Sequence, residues 1–250
     1  MSKRIGKSLL IMAALLGPAA AQELAPMPPM RPEPPPEIAP LSVAPAVPDW
    51  LSYGYDQQRV GWNRGETILS KKTVGRLKLL WSTPVTTEAK PVILSTLTAP
   101  IVVAGVATPD GVKDLVYTVS IEDTVIALDA DTGKIVWQKS YPNPQAPRRP
   151  AVISCSNTEQ ATPVADKKNG VLYFTTSDGK LRSVALGDGA DRMTPISMVQ
   201  PNSRNWSLNL VDDVVYTNAA RGCGGSNEHN QKNNSAFHCI FSPSVRDDIR

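Results

Sequence analysis

The sequence is poor in the residues that usually bind metals or act as nucleophiles. Its 250 residues include only two histidines and three cysteines. A structural zinc site takes about four ligands at short spacings, such as a Cys-x2-Cys pair, and no such pair accompanies His238-Cys239. There is also no Gly-x-Ser-x-Gly motif of the kind that exposes a nucleophilic serine. We therefore predict neither a metal site nor a catalytic set of residues.

Charge of one sign is equally scarce. The formal net charge is +3 with 20% charged residues, and the basic residues are scattered along the chain. Nucleic-acid-binding proteins concentrate basic residues in a patch or stripe, so we predict no nucleic-acid partner. The stretch Asp129 to Gly133 superficially resembles a calcium loop, but an EF-hand needs its glycine one position later. We interpret Asp129 and Thr132 as turn formers.

Long apolar runs are absent except near the start of the chain. Residues 2–7 carry three positive charges, residues 9–16 are apolar, and small residues follow at 19–21. This is the pattern of a cleaved signal peptide over residues 1–21. We expect a periplasmic or secreted protein with no membrane span after cleavage.

Residues 22–48 are dense in proline and have few large apolar side chains. Proline fixes φ and removes a backbone donor, so this composition predicts an extended, disordered tether. A ligand for a proline-binding module is the alternative interpretation. Since such modules are not expected outside the cytoplasm, we favour a spacer.

The middle of the chain has the pattern of a meander of short strands. Residues 115–120 are β-branched and aromatic, residues 124–128 alternate, and Ile135 to Trp137 opens a third strand. Asp129, Thr132 and Gly133 form the turn between the second and third of these strands. A meander with one aromatic residue at a fixed place is typical of a β-propeller blade.

Further units of the same kind follow. Residues 162–186 repeat the pattern around a turn at Asp178-Gly179, but without the tryptophan, and residues 206–217 begin another unit. Propeller repeats take about 40 to 50 residues. We predict an all-β fold, a partial propeller of about three to four four-stranded antiparallel blades over residues 49–225. We expect residues 226–250 to form a polar, poorly ordered tail.

The stretch Ala127 to Trp137 resembles the repeat of the quinoprotein-like propellers, which include the pyrroloquinoline quinone (PQQ) dehydrogenases and outer-membrane assembly propellers. Residues 50–63 and Leu77 to Trp81 are similar to the opening segment of that family. The resemblance implies that Trp81 and Trp137 pack between neighbouring blades. It also implies a structural blade motif, consisting of Trp81, Asp129, Thr132, Gly133, Trp137, Asp178 and Gly179.

The resemblance carries an expectation about cofactors. Enzymes of this family use PQQ with Ca²⁺ and commonly present a Cys-Cys dipeptide against the quinone, whereas this sequence has none. We therefore predict no cofactor for the chain alone, with PQQ and Ca²⁺ expected only within a complete quinoprotein. No residue is singled out as a PQQ ligand.

The cysteines leave two states open. Export permits disulfides. Cys155 lies just before the second unit and Cys223 lies after the strand of the third unit, so in adjacent blades the two loops could lie on one face and pair, leaving Cys239 over. Unpaired thiols are the alternative, because the Cα separation cannot be derived from sequence.

Two functions compete. The first is a non-catalytic binding or scaffold module, truncated in length, whose partner is an unknown protein or small-molecule ligand. The second is a fragment or subunit of a PQQ-dependent alcohol or sugar dehydrogenase. Propellers usually close with about four to eight blades, so copies of the chain could also assemble into one ring.

Overall fold

The computed structural model describes residues 49–85, 97–144 and 161–219, and the backbone of Phe237–Phe241. Within these ranges there is one short 3-10 helix, Val74–Arg76, and the remaining elements are strands. The strands are β1 (Ile101–Thr108), β2 (Gly111–Val119), β3 (Thr124–Asp129), β4 (Ile135–Ser140), β5 (Val164–Asp166), β6 (Val171–Thr175), β7 (Lys180–Ala185), β8 (Ile196–Ser197), β9 (Asn209–Val211), β10 (Val214–Ala219) and β11 (Phe237–Phe241). None of the described residues forms a helix with the length and apolar character that a membrane span requires.

The strands form three antiparallel meanders in chain order. Sheet I has the order β1-β2-β3-β4 and sheet II the order β5-β6-β7-β8, while sheet III has the order β9-β10-β11. All pairings within these sheets are antiparallel. The prediction of an all-β fold built from partial propeller blades is therefore confirmed.

The first strands of the three sheets lie beside one another. β1 contacts β5, and β5 contacts β9. In a propeller the first strand of each blade lines the central axis. These three strands therefore mark the axis, and β4 and β8 are the outermost strands of their sheets.

Two apolar layers hold the sheets face to face. The first combines side chains of sheet I, such as Leu115 and Tyr117, with Phe174 and Val184 of sheet II. The second combines Tyr173 and other side chains of sheet II with side chains around sheet III. Sheet II is therefore covered on both faces, as in stacked blades.

Part of the expected C-terminal tail is a strand. Residues 237–241 lie within the segment expected to be poorly ordered, yet they form β11 and pair with β10 from Val215 to Ala219. The sequence interpretation missed this strand because the segment lacks the repeat signature. Pairing with β10 supplies the backbone partners that a short isolated strand would lack.

Candidate functional site

Two tryptophans make the same contact with the next sheet in the chain. The Trp81 Nε1–H donates to the Ala130 carbonyl at 2.8 Å, and the Trp137 Nε1–H donates to the Leu186 carbonyl at 2.9 Å. Both bonds span 49 residues. A Cβ atom at Gly133 would lie 2.4 Å from the Trp81 ring, and one at Gly189 would lie 2.7 Å from the Trp137 ring. Each indole thus covers a turn that only glycine allows it to approach.

The turn under Trp81 is built by its own polar side chains. Asp129 Oδ1 accepts hydrogen bonds from the backbone N–H groups of Asp131 and Thr132, and the Gly133 N–H donates to the Asp129 carbonyl. Lys113 Nζ donates to Asp129 Oδ2 at 2.7 Å, and this hydrogen bond lowers the pKa of Asp129 to about 2. Asp129 and Thr132 therefore shape a docking turn.

The second unit keeps the docking turn although its sequence has diverged. The turn from Leu186 to Gly189 lies under Trp137, and Asp188 Oδ1 accepts the Ala190 N–H. Beyond this turn Met193 packs against the second apolar layer. A flexible thioether side chain fills irregular gaps well, so Met193 takes part in packing where the first unit has Trp137.

The inner turns of sheets I and II are joined by a buried carboxylate. Asp123 is 2% exposed and accepts the Ser177 backbone N–H at 2.8 Å as well as the Ser177 hydroxyl. Burial raises the pKa of Asp123 to about 6, although the hydrogen bonds from Ser177 oppose that shift. The contact ties adjacent blades together at the end opposite the tryptophan docking turns.

Asp178 and Gly179 lie in the inner turn of sheet II. Burial raises the pKa of Asp178, but hydrogen bonds from Thr176 and the charge of Arg182 outweigh it, and the net pKa is lowered. Arg182 Nη2 lies 2.8 Å from Asp178 Oδ2. The Arg182 guanidinium also lies 4.7 Å from the centre of the Tyr141 ring, which directly follows β4 of sheet I. Gly179 has φ +78°, and a Cβ there would lie 2.3 Å from the Val199 carbonyl oxygen.

A pocket lies among the residues that precede the three axial strands β1, β5 and β9. Its volume is 820 Å³. Thr98 precedes β1, Thr162 precedes β5, and Trp206 precedes β9. The full lining is Tyr53, Arg59, Leu97, Thr98, Ala99, Thr162, Arg204, Asn205, Trp206, Ser207 and Asn218. We call it the axial pocket.

Hydrogen bonds fix the wall of the axial pocket. Arg59 Nη2 donates to the Ser207 carbonyl at 2.6 Å, and Asn205 Nδ2 donates to Thr175 Oγ1 at 2.6 Å. Thr98 Oγ1 accepts the Val119 N–H at 3.0 Å. These contacts join each segment to a neighbouring element, so the pocket is preformed by the stacking of the sheets.

The pocket has a cationic and aromatic character. Two of its lining residues are arginines and none is acidic. The Arg204 guanidinium lies 4.8 Å from the Trp206 ring centre, and the Trp206 side chain is 44% exposed. Guanidinium groups bind carboxylates through paired hydrogen bonds, and indole faces stack on flat rings. The lining therefore suits a flat, anionic molecule.

The sequence interpretation missed the axial pocket. A threonine stands one or two residues before a proline at the start of two units, as Thr98-Ala99-Pro100 and Thr162-Pro163. This repeated threonine is the signal that could have located the pocket. Asn209, on the axial strand β9, donates a hydrogen bond to the Gln57 carbonyl.

The fit to the family's cofactor can be judged from this lining. PQQ is a flat polycarboxylate, which matches the arginines and the exposed indole of the axial pocket. Among residues 49–85, 97–144 and 161–219, no group of three or more His, Cys, Asp or Glu side chains could hold a metal ion. The charge and the aromatic surface of the axial pocket therefore match the chemistry of the organic cofactor.

The proposed Cys155–Cys223 disulfide lies outside the described residues. Cys239 is on β11, opposite Thr217 of β10 in the strand register.

The stacked meanders, their axial first strands and the repeated tryptophan docking define this protein as a set of β-propeller blades. Residues 50–194 match the family described as "PQQ: Glucose/ethanol/alcohol dehydrogenase, beta-propeller domain". The chain belongs to this family, as the sequence resemblance predicted.

Curated relatives of the chain are quinone-dependent alcohol dehydrogenases. The dehydrogenase subunit of the quinone alcohol dehydrogenase of Gluconobacter oxydans is 33% identical over 53% of this chain, and the match covers 15% of that relative. The quinohemoprotein alcohol dehydrogenase ADH-IIG of Pseudomonas putida is 26% identical over 71% of this chain and 22% of that relative. The chain thus spans less than a quarter of the length of either relative.

A solved structure of the Pseudomonas putida enzyme ADHIIG has a similar fold. It superposes with a TM-score of 0.50 at 19% identity, over 69% of this chain and 23% of that one. At this identity the likeness concerns the fold.

Proposed function

We propose that this chain is an exported binding module whose three sheets together hold a small, flat, anionic ligand in the axial pocket. The observation that carries the proposal is that the segments preceding β1, β5 and β9 all line one cationic, aromatic cavity. Binding sites are usually concave and combine apolar walls with a few fixed polar groups. The axial pocket combines Trp206 with hydrogen-bonded polar groups in this way.

Each part of the lining has a chemical role in this proposal. Arg59 and Arg204 supply permanent positive charge that favours a carboxylate in the axial pocket. Trp206 offers a half-exposed face for stacking, while Thr98 and Asn205 are held by neighbouring strands and limit where a ligand can lie. PQQ is the probe that this chemistry selects, and when bound it would supply hydride-accepting quinone chemistry.

The proposal is tested by titrating the purified protein with PQQ by calorimetry and by tryptophan fluorescence. We expect saturable binding with one site per set of three sheets. Arg204→Gln should weaken that binding by about tenfold or more, because a charge-assisted hydrogen bond is lost. Trp206→Phe should keep the stacking surface and retain most of the affinity.

A matched control is available outside the pocket. Arg64 lies 5.7 Å from the Trp62 ring centre, in the same kind of cation–π pair as Arg204 and Trp206. Arg64→Gln should leave PQQ affinity unchanged. Equal losses for Arg64→Gln and Arg204→Gln, or no saturable binding to the wild-type protein, would refute the axial pocket as the binding site.

A second candidate function is favoured by the family match over residues 50–194 and by the names of the relatives. On this hypothesis the chain contributes blades to a PQQ-dependent alcohol dehydrogenase. The test is dye reduction by the protein with PQQ, Ca²⁺ and a primary alcohol. Dye reduction that is lost in Arg204→Gln would support the enzyme, whereas PQQ binding without dye reduction would support the non-catalytic module.

A further inference from the structure

A second pocket lies beside the axial pocket and shares part of its wall. Its volume is 700 Å³. Tyr53, Arg59 and Ala99 line both pockets. The full lining is Trp50, Tyr53, Gly54, Arg59, Gly61, Ala99, Pro100 and Val102. Of these described residues two are aromatic and only Arg59 is charged, and we call the cavity the aromatic pocket.

The apolar wall of the aromatic pocket is held in place by β1. Trp50 and Val102 exchange two backbone hydrogen bonds, of 2.8 and 2.9 Å, so the chain at residue 50 runs alongside β1. The Trp50 ring meets the Tyr55 ring edge to face, with the ring centres 5.3 Å apart. Trp50 also packs against the first apolar layer. This wall is therefore preformed by contacts within the protein.

A closed loop fixes Arg59 where the two pockets meet. The Gly61 N–H donates to the Gly54 carbonyl at 2.8 Å, and the Arg59 N–H donates to the Asp56 carbonyl at 2.9 Å. Arg59 has φ +58°, and a Cβ atom at Gly54 would lie 2.9 Å from the Arg59 Cα. A left-handed conformation is unfavourable for a residue other than glycine unless surrounding contacts hold it. The position of Arg59 is therefore set by the loop.

The charge of Arg59 can still pair with a ligand. Arg59 Nη2 donates to the Ser207 carbonyl at 2.6 Å, and a guanidinium has five N–H donors, so others remain for a carboxylate. The loop of residues 54–61 contains one carboxylate, Asp56, and its Oδ1 accepts the Val60 N–H at 3.1 Å. Aromatic rings pack against one another edge to face or with an offset. A cation beside an aromatic wall therefore favours an aromatic carboxylate.

We propose that one elongated ligand spans both pockets, with its carboxylate bound at Arg59 and an apolar aromatic end in the aromatic pocket. This inference rests on the proposed function, because the anionic part of the ligand lies in the axial pocket. It narrows the ligand class to carboxylates that carry an apolar aromatic extension. PQQ has no such extension, so it remains a probe of the axial pocket alone.

Benzoate and biphenyl-4-carboxylate are suitable probes, because they differ only by one phenyl ring. In calorimetric titrations of the full chain, biphenyl-4-carboxylate should bind about tenfold or more tightly than benzoate, since its second ring is removed from water. Arg59→Gln should weaken the binding of both probes by a similar factor. Biphenyl-4-carboxylate should also displace PQQ, because Arg59 lines both pockets.

Val102→Thr tests the aromatic pocket itself. Threonine matches valine in shape but adds a hydroxyl group to the apolar wall. The variant should bind biphenyl-4-carboxylate about fivefold or more weakly than the wild type and leave benzoate and PQQ affinities unchanged. Val112, which is 74% exposed on β2, is a matched control position. Val112→Thr should keep the full preference for biphenyl-4-carboxylate.

The outcomes separate this inference from the proposed function. Saturable PQQ binding together with equal affinities for the two probes would overturn the inference alone. Simultaneous binding of PQQ and biphenyl-4-carboxylate, or equal effects of Val102→Thr and Val112→Thr, would do the same. Absence of saturable binding for PQQ and for both probes would overturn the proposed function as well.

Discussion

Gly133→Ala probes the docking of Trp81 on sheet I. Gly133 has φ +69°, and an added Cβ would lie 2.4 Å from the Trp81 ring. Gly170 has nearly the same backbone, φ +67°, with nothing within 4 Å of an added Cβ. The pair therefore separates the cost of the left-handed backbone from the cost of displacing the indole.

The magnitudes follow from these two environments. A left-handed conformation costs an L-residue about 1–2 kcal/mol relative to glycine. Gly133→Ala adds the displacement of Trp81 and the loss of its hydrogen bond to Ala130. Deleting a core tryptophan side chain costs about 3–5 kcal/mol. Displacing this half-buried ring should cost about 2 kcal/mol, so we expect about 3–4 kcal/mol for Gly133→Ala and about 1–2 kcal/mol for Gly170→Ala.

The assay is urea unfolding of both variants, followed by circular dichroism, with stability taken from the midpoint at constant m. In a Trp81→Ala background the cost of Gly133→Ala should fall to that of Gly170→Ala, which gives a coupling energy of about 2 kcal/mol. Equal losses for the two glycine variants in the wild-type background would show that the indole does not dock on this turn.

Three further outcomes follow from the inter-blade contacts. Because the folded-state pKa of Asp123 is raised to about 6, its proton stabilises the fold at low pH, and that stability is lost as the pH rises from about 4 through 6. Asp123→Asn should remove about 3 kcal/mol of this pH dependence in urea unfolding, and parallel pH profiles for both proteins would contradict it. Asp178→Asn should lower the free energy of unfolding by about 2–3 kcal/mol, because it leaves the largely buried Arg182 without its carboxylate. Lys180 is a more exposed partner of the same carboxylate, so Lys180→Gln should lower the free energy of unfolding by under about 0.5 kcal/mol in the same assay. Trp137→Phe should cost about 1 kcal/mol through loss of the hydrogen bond to Leu186, and a loss as large as that of Trp137→Ala would contradict this assignment.

Local sequence patterns predicted the blade that carries the strongest repeat. Of the predicted strands, residues 115–119 lie on β2, residues 124–128 lie on β3, and Ile135 to Trp137 opens β4. Alternating β-branched residues and a glycine-bearing turn suffice there, since these strands pair with their neighbours in sequence. β1 was not predicted, because its register shifts between Val103 and Val106, which interrupts the alternation.

The axial pocket could not be predicted in the same way. Thr98, Thr162 and Asn205 lie in the segments that precede β1, β5 and β9. These segments come together only when the three sheets stack. The contact of Asp123 with Ser177 likewise joins residues 54 positions apart. Such sites depend on inter-blade geometry, which a single sequence encodes through packing and not through a contiguous motif.

Hydrogen–deuterium exchange with and without PQQ tests most directly whether the axial pocket is the binding site. Binding should slow exchange in peptides covering residues 97–99 and 204–208, where the chain enters β1 and β9. Exchange at residues 129–134, in the docking turn of sheet I, should stay the same. Protection confined to residues 129–134, or no protection at a saturating PQQ concentration, would contradict the central claim that these blades bind a ligand at their axis.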